Sequence, residues 1–422
     1  MKIAMLTNNY KPFVGGVPVS VERQAQELVK RGHEVTVLAP IYEGHTDDSS
    51  TPERILRFHT MKRKMENGMV YPGIYIKEAA DLFQRESFDL IHVHHPMFTG
   101  PCALYLGKKY QIPVIYTWHT RYEDYLHYIR SFQIEENSPL LKKKIVSYLK
   151  EKVVPGYMRW FTNQCDMVFA PSEGMKQQMQ SNGTWTPTEV LPTGLKESFY
   201  IQDAARAQSI RRQYAEGRDY VLCTVSRLEK EKNPFFLLQG IAEIKKRLGA
   251  KFKVLFIGEG SQRKKLEKKA EELGIRKEVV FTGSIPNEEI QYYLQACDLF
   301  LFASKSETQG IVLAEALAAG TPVIAVKAVG VDDIVHDGKN GFRTGENIEQ
   351  WAEKAVLALN PRQHESLKRQ ALISAQAYRA EQIALHEESL YVQCILRKQE
   401  ELNARRKLEE GWSYRERRGS RA

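Results

Sequence analysis

Short apolar runs separated by helix-length stretches recur along most of the chain, and this alternation limits the fold more than any other feature. "KIAMLT" (2–7), "EVTVLAP" (34–40), "FDLIHVHH" (88–95), "PVIYTWHT" (113–120), "DMVFAPS" (166–172) and "TEVLPTG" (188–194) form a first set. After a polar, charged stretch at 195–218 without strong period, the pattern restarts. "YVLCTVSRL" (220–228), "KFKVLFIGEG" (251–260), "EVVFTGS" (278–284), "DLFLFAS" (298–304) and "TPVIAV" (321–326) form the second set. Runs of this kind read as buried strands, and strands alternating with helices read as a parallel sheet covered on both faces. The first helix fits "VPVSVERQAQELVKRG", with Pro18 tolerated in its first turn and Gly32 ending it. We therefore expect two Rossmann-like α/β domains, 1–200 and 201–375. A charged helical segment at 376–422 follows, without a strand. From Arg397 to the end it carries nine Lys/Arg and five Asp/Glu, the pattern of a solvated helix with a frayed tail.

At 422 residues the chain is long for one core and sufficient for two. No apolar run approaches the ~20 residues of a membrane span. The opening "MKIAMLTNNY" turns polar too soon for a signal peptide, so a cytoplasmic protein is expected. The five cysteines are scattered and odd in number, which reads as reduced thiols. A formal charge of +9 fits anionic partners such as nucleic acid, acidic lipid or phosphorylated substrates. No recognised nucleic-acid motif accompanies it, so no nucleic-acid partner is expected.

In an open parallel sheet, ligands sit beyond the carboxyl ends of the strands, and the unusual residues of this chain fall there. Gly15 and Gly16 follow the first strand and open a helix; they form either a backbone approach to an anion or a tight turn. Arg227 and Lys232, in "SRLEKEKN", are two cations that suit a diphosphate or are solvated surface charges. Gly258, in "GEG", is open to the same two readings as the first glycines. His119 ends one strand, and His92, His94 and His95 cluster on another. The cluster invites a metal, but no nearby Asp or Glu completes a site, and no Asp-x-Asp follows a strand; no metal is expected.

The stretch "SKSETQGIVLAEALAAG" (304–320) carries two glutamates eight residues apart. Glu307 stands in a loop at a strand's carboxyl end. The N–H groups from Thr308 to Ile311 begin a helix, and Glu315 lies about one turn inside it. A carboxylate can accept two hydroxyls at once, so one glutamate for a sugar and one for a ribose is a consistent reading. An ordinary helix-face Glu315 is the other.

"SETQGIVLAEALAAGTPVIA" resembles the Glu-x7-Glu signature of family-4 retaining glycosyltransferases. Agreement continues in Gly15-Gly16, "KRGHEV", "SRLEKEKN", "GEG", "VVFTGSIP", "ACDLFLFAS" and "HDGKNGF", from residue 1 to about 360. The resemblance implies the GT-B fold, two Rossmann-like domains facing each other across a donor-binding crevice, with the C-terminal segment crossing back to the first domain. It implies that Arg227 and Lys232 hold the donor diphosphate, Glu315 the ribose, Glu307 the transferred sugar, and His119 its C6 hydroxyl or reacting face. Ser284 and Ile285 would meet the base, with Gly15, Gly16, Gly258, Thr308, Gln309, Gly310 and Ile311 completing the donor site. The family commonly has an aromatic residue where this chain has Gln309. "SETQG" and "HTRYEDYLHYI" (119–129) resemble the branch that glucosylates diacylglycerol. The implied partners are a nucleotide-sugar donor and a lipid acceptor, with no cofactor.

The segment 138–161 carries six Lys/Arg and one Glu. Leu141, Ile145, Tyr148, Leu149 and Val153 share a helical face, with Lys142, Lys143, Lys144 and Lys150 largely off it. Such a helix can lie on an anionic membrane, or can turn its apolar face to a core and its basic side to water. With the branch motifs, the expectation is a peripheral enzyme on the inner face of the cell membrane. It would transfer α-glucose from UDP-glucose to 1,2-diacylglycerol. A phosphatidylinositol or soluble acceptor, and a non-catalytic nucleotide-sugar-binding partner protein, are the alternatives.

Overall fold

The computed structural model describes residues 1–13, 15–44, 48–64, 70–73, 76–124, 126, 132–134 and 138–419. The chain forms two compact units. The first comprises Met1–Pro171, Lys176–Leu191 and Ile383–Ala422; the second comprises Ser172–Met175 and Pro192–Gln382.

The first unit is built on seven parallel strands. They are β1 (Lys2–Leu6), β2 (Glu34–Pro40), β3 (Arg54–Phe58), β6 (Leu90–Val93), β7 (Val114–Thr117), β8 (Met167–Ala170) and β9 (Thr188–Val190). The order is β3-β2-β1-β6-β7-β8-β9, and a separate antiparallel hairpin joins β4 (Thr60–Lys64) to β5 (Val70–Pro72). Order reverses between β1 and β6, so the loops leaving their carboxyl ends diverge and open a ligand site. One face of the sheet packs Ile3, Met5, Ile115 and Phe169 against Leu390, Tyr391 and Cys394. Those last three come from the helix Ala380–Gly419, so the chain's final helix completes the first unit's core.

The second unit is a six-stranded parallel sheet of order β12-β11-β10-β13-β14-β15. Its strands are β10 (Tyr220–Val225), β11 (Phe252–Ile257), β12 (Val279–Gly283), β13 (Leu299–Phe302), β14 (Val323–Val326) and β15 (Gly341–Thr344). Along β11, Phe252, Val254 and Phe256 enter one core with Trp351, while Leu255 and Ile257 enter the other with Phe300 and Leu317. A strand buried on both faces is apolar nearly throughout, which is why "FKVLFI" shows no alternation; its one exception, Lys253, hands its ammonium to the Lys277 carbonyl at 2.7 Å and to Glu216. Order reverses here between β10 and β13.

Several runs extend past their strands. The strand expected over 88–95 ends at Val93, that over 188–194 at Val190, and that over 298–304 at Phe302. The excess residues, His94 and His95 among them, leave the ladder to form loops. The stretch 195–218 contains a helix, Ala204–Ala215, capped by Asp203, whose carboxylate accepts the Arg206 N–H at 2.9 Å.

Candidate active site

The second unit's candidate residues converge at the β10/β13 reversal. After β10 the chain makes a short 3-10 turn, Lys230–Lys232, and enters the helix Pro234–Leu248 through Asn233 in a left-handed conformation (φ 53°). The turn aims Lys232 at Glu307 in the loop after β13, and the two form an ion pair with both side chains largely buried. Burial pushes the Glu307 carboxyl up, but the Lys232 charge and hydrogen bond outweigh it and hold the carboxyl below its usual range. Arg227, half-exposed, also lowers it, and donates to Glu231 at 3.1 Å.

Backbone contacts fix the loops around this cluster. Leu228 N–H donates to the Glu259 carbonyl at 2.9 Å, and Gln262 N–H to the Leu228 carbonyl at 3.0 Å. Glu229 accepts from Ser261 N–H at 2.8 Å and from its hydroxyl at 2.6 Å. Gly258 has φ 134°, and a Cβ there would lie 2.1 Å from the Ser226 carbonyl oxygen. Only glycine fits so close a passage between β10 and β11. Glu229 and Glu231 escaped the sequence reading because "LEKEKN" looks like a solvated charge run. The only signal was their place at a strand's carboxyl end.

Past Glu307, Gly310 (φ 79°) caps the helix Ile311–Ala318, which carries Glu315 one turn in and buried. Thr308 offers its carbonyl to the Ser172 hydroxyl at 2.6 Å. Gln309 is buried, and its side-chain amide pairs with the backbone of Thr193. Thr193 N–H donates to Oε1 at 2.7 Å, and Nε2 donates to the Thr193 carbonyl at 3.1 Å. The side chain of Gln309 therefore clamps this loop to a distant segment, a role without a local sequence signal. Ser284 is exposed and Ile285 half-buried between β12 and the helix Asn287–Gln295.

In the first unit, Gly15 precedes the helix Gly16–Lys30. Its φ of 177° is ordinary extended backbone, so no left-handed geometry demands glycine there. At the β1/β6 reversal, Asn8 N–H donates to His95 Nδ1 at 3.1 Å, and the Asn8 side chain accepts the Thr99 hydroxyl at 2.7 Å. His119, just past β7, hydrogen-bonds through Nε2 to His94 Nδ1 at 2.9 Å. Burial pushes the His119 and His95 imidazoles down to about 3 and holds His92 and His94 well below their usual range, so all four rings are neutral. Among the described residues, no group of three or more His, Cys, Asp or Glu could hold a metal ion. In the motif 119–129, Tyr125 and 127–129 lie outside the described residues.

The basic segment is not one regular helix. Leu140–Tyr148 and Val154–Thr162 are α-helical, joined by a π-helical turn at Leu149–Val153. Pro155 explains the interruption: it has no N–H for the Glu151 carbonyl, and its ring crowds that carbonyl. Val146, Val154, Met158 and Phe161 face the core. Leu141 (70% exposed), Ile145, Tyr148 (63%) and Val153 face outward instead, as does Trp160. Lys144, Lys150 and Lys152 are exposed and Lys142 and Lys143 half-buried. Apart from half-buried Leu149, that apolar face therefore does not pack on the core among the described residues. Among the described residues, no helix is long and apolar enough to cross a membrane.

Two family models match the chain: Glycosyltransferase Family 4 over residues 14–199 and Glycosyl transferases group 1 over 206–377. The alpha-monoglucosyldiacylglycerol synthase of Acholeplasma laidlawii is 28% identical over 412 residues, covering 96% of this chain and 100% of that protein. The enzyme of the same name from Streptococcus pneumoniae is 29% identical, covering 77% of this chain and 71% of its own. Among solved structures, Alr3699/HepE of Anabaena in complex with UDP superposes with a TM-score of 0.72 at 19% identity, covering 93% of this chain and 100% of its own. Sucrose-phosphate synthase of Thermosynechococcus elongatus does so with 0.74 at 19% identity, covering 93% and 98%.

Proposed function

Because the chain belongs to the family 4 and group 1 glycosyltransferases and has the GT-B fold, we propose that it moves α-glucose from UDP-glucose to 1,2-diacylglycerol with retention of configuration. The observation that carries this reading is the convergence of Arg227, Lys232 and Glu307 at the β10/β13 reversal. Two cations suit the donor diphosphate, and a carboxylate held ionised suits the hydroxyls of the transferred sugar. Glu315 takes the ribose, Ser284 and Ile285 the base, and His119 the sugar's C6 hydroxyl or reacting face. The full-length likeness to a diacylglycerol-glucosylating enzyme supports the acceptor.

In the transfer, the bond from the anomeric carbon to the UDP oxygen breaks, and its electron pair leaves with UDP. The acceptor hydroxyl bonds to the same face of that carbon and gives its proton to the departing phosphate oxygen. No enzymic nucleophile is needed. Arg227, Lys232 and the N–H groups that open the helix Ile311–Ala318 stabilise the charge that grows on the phosphate. Since these residues carry that task, the reaction requires neither metal nor cofactor.

The exposed face Leu141–Ile145–Tyr148–Val153, bordered by lysines, supports docking on an anionic membrane. The inner face of the cell membrane is the surface proposed. The test is to offer labelled UDP-glucose, UDP-galactose and GDP-mannose with diacylglycerol micelles, with and without EDTA, and to analyse the lipid product and its anomeric configuration. α-Glucosyldiacylglycerol formed equally in EDTA is expected. A β-linked product, another sugar, or loss of activity on chelation would each overturn the corresponding part.

A further inference from the structure

The helix Ala380–Gly419 brings two polar side chains into the first unit's core. Glu387 and Tyr391 stand four residues apart on one helical face and are fully buried. Tyr391 Oη donates to Glu387 Oε1 at 2.6 Å and lies 2.7 Å from His92 Nδ1. The other ring nitrogen of His92, Nε2, lies 2.6 Å from the Thr117 hydroxyl at the end of β7. His92 is thus pinned at both nitrogens, from two different elements. The His94 ring packs against it at a tilt of 38° with centroids 4.1 Å apart, and His94 in turn stacks on His119 at 5.2 Å while sharing the 2.9 Å hydrogen bond. The contacts run without a break from Glu387 to His119.

The hydrogen bonds also fix where the protons sit. An ionised Glu387 only accepts, so Tyr391 donates to it and accepts from His92 Nδ1–H. His92 Nε2 then accepts from the Thr117 hydroxyl. His94 Nε2 is buried without a hydrogen-bond partner. A proton there would be an orphaned buried donor, the less tolerated kind. His94 therefore carries its proton on Nδ1 and donates to His119 Nε2, which leaves the His119 proton on Nδ1. We infer that Glu387 and Tyr391 are positioning residues for His119, acting through His92 and His94. This rests on the proposed reading that His119 meets the transferred sugar.

The arrangement also responds to pH. The titratable groups facing Glu387 are Tyr391 on its own helix and His92 on β6; the neighbouring Glu388 pairs instead with Arg31 at the end of the first helix and with His33. Burial raises the Glu387 carboxyl to about 7. Once protonated, the carboxyl can donate to Tyr391 Oη, Tyr391 to His92 Nδ1, and His92 Nε2–H to Thr117. One added proton thereby reverses each hydrogen bond from Glu387 through Tyr391 and His92 to Thr117.

The test uses the full chain labelled with 15N-histidine, with ring resonances of His92, His94 and His119 assigned by single replacement with Gln. Tyr391→Phe keeps the ring and removes the hydroxyl; Glu387→Gln keeps the shape and removes the titration. In the wild type, the protonated and bare nitrogens of His92 should exchange roles around pH 7, and in Glu387→Gln they should not. Tyr391→Phe should shift the His94 and His119 rings and lower kcat about tenfold with KM for the donor little changed, the lower end of what a lost orienting partner costs. Unaltered His94 and His119 resonances in folded Tyr391→Phe would overturn the inference. If that variant does not fold, a wild-type His92 profile identical to that of Glu387→Gln would overturn it. Responsive rings in a wild-type enzyme that transfers no glucose would leave the positioning standing and refute the proposed function instead.

Discussion

Replacing Lys232 by Met should do more than weaken the protein: it should reverse how the second unit's stability depends on pH. Lys232 and Glu307 pair with side chains 16% and 15% exposed. That places them between surface pairs, worth at most about 1 kcal/mol, and fully buried ones, whose breakage costs about 3–5 kcal/mol. A cost of about 2 kcal/mol is expected for Lys232→Met, which strands a carboxylate, and about 1 kcal/mol for Glu307→Gln. The double variant should cost less than the sum of the two, with a coupling of about 1–2 kcal/mol. In the wild type the folded-state Glu307 value lies below the ordinary 4.5. Its contribution is therefore present above pH 4.5 and lost as pH falls through the lower folded value. Without Lys232, burial, the largest influence, is opposed only by the Ser304 hydrogen bond and the Arg227 charge, so the carboxyl should rise above 4.5. Stability is then present at low pH and lost as pH rises through the raised value. Urea unfolding followed by Trp351, the one tryptophan in the second unit, measures this between pH 4.5 and 7.5. The same pH slope in wild type and Lys232→Met, or a coupling near zero, would refute the reasoning.

Gly258→Ala should fail to give a stable second unit, since its Cβ would lie 2.1 Å from the Ser226 carbonyl oxygen at φ 134°; thermal unfolding of any soluble product is the check. Gln309→Leu removes two buried hydrogen bonds to Thr193 and should cost about 2–4 kcal/mol by urea unfolding. Changing Lys142, Lys143 and Lys144 together to Ser should release the protein from phosphatidylglycerol vesicles, with hydrolysis of UDP-glucose in solution retained. Sedimentation across a salt series reads this, because attraction between exposed charges is screened over roughly 8 Å at physiological salt; equal binding by both proteins would refute the docking.

What the sequence disclosed followed from burial on two sides. The strands Lys2–Leu6 and Phe252–Ile257 are each apolar but for one lysine because both their faces are covered, and they stand out from their surroundings. β3, written "RILRF", and β15, written "GFRT", carry arginines at the sheet edges, with Arg54 exposed and Arg57 and Arg343 half-buried. The hairpin β4–β5, written partly in "TMKRK", has no apolar run at all. The same logic divides the site. Charge at a strand's carboxyl end or within an apolar helix drew Arg227, Lys232, Glu307 and Glu315 out as candidates, but only the resemblance gave them roles, and Glu229 and Glu231 in the same run passed as solvated charge. Gln309 clamps Thr193 from 116 residues away, and Tyr391 meets His92 across 299. Such long-range partnerships leave no trace in local spacing. The exposed face at Leu141, Ile145 and Tyr148 has the same period as a buried one, so only the structure could tell which side faces water.

The path of the chain has a consequence for how the protein is made. The second unit is almost one continuous stretch, Pro192–Gln382, whereas the first is finished only by the helix that starts near Ile383. During synthesis the seven-stranded sheet leaves the ribosome long before Leu390, Tyr391 and Cys394 exist to cover its face. The usual order, with the N-terminal domain folding first, therefore cannot run to completion here. The nascent first unit must wait with that face of its sheet only partly covered, by Val21, Ala25 and Leu28 of the helix Gly16–Lys30, while the second unit folds. That interval is when a holding chaperone would matter most to this chain.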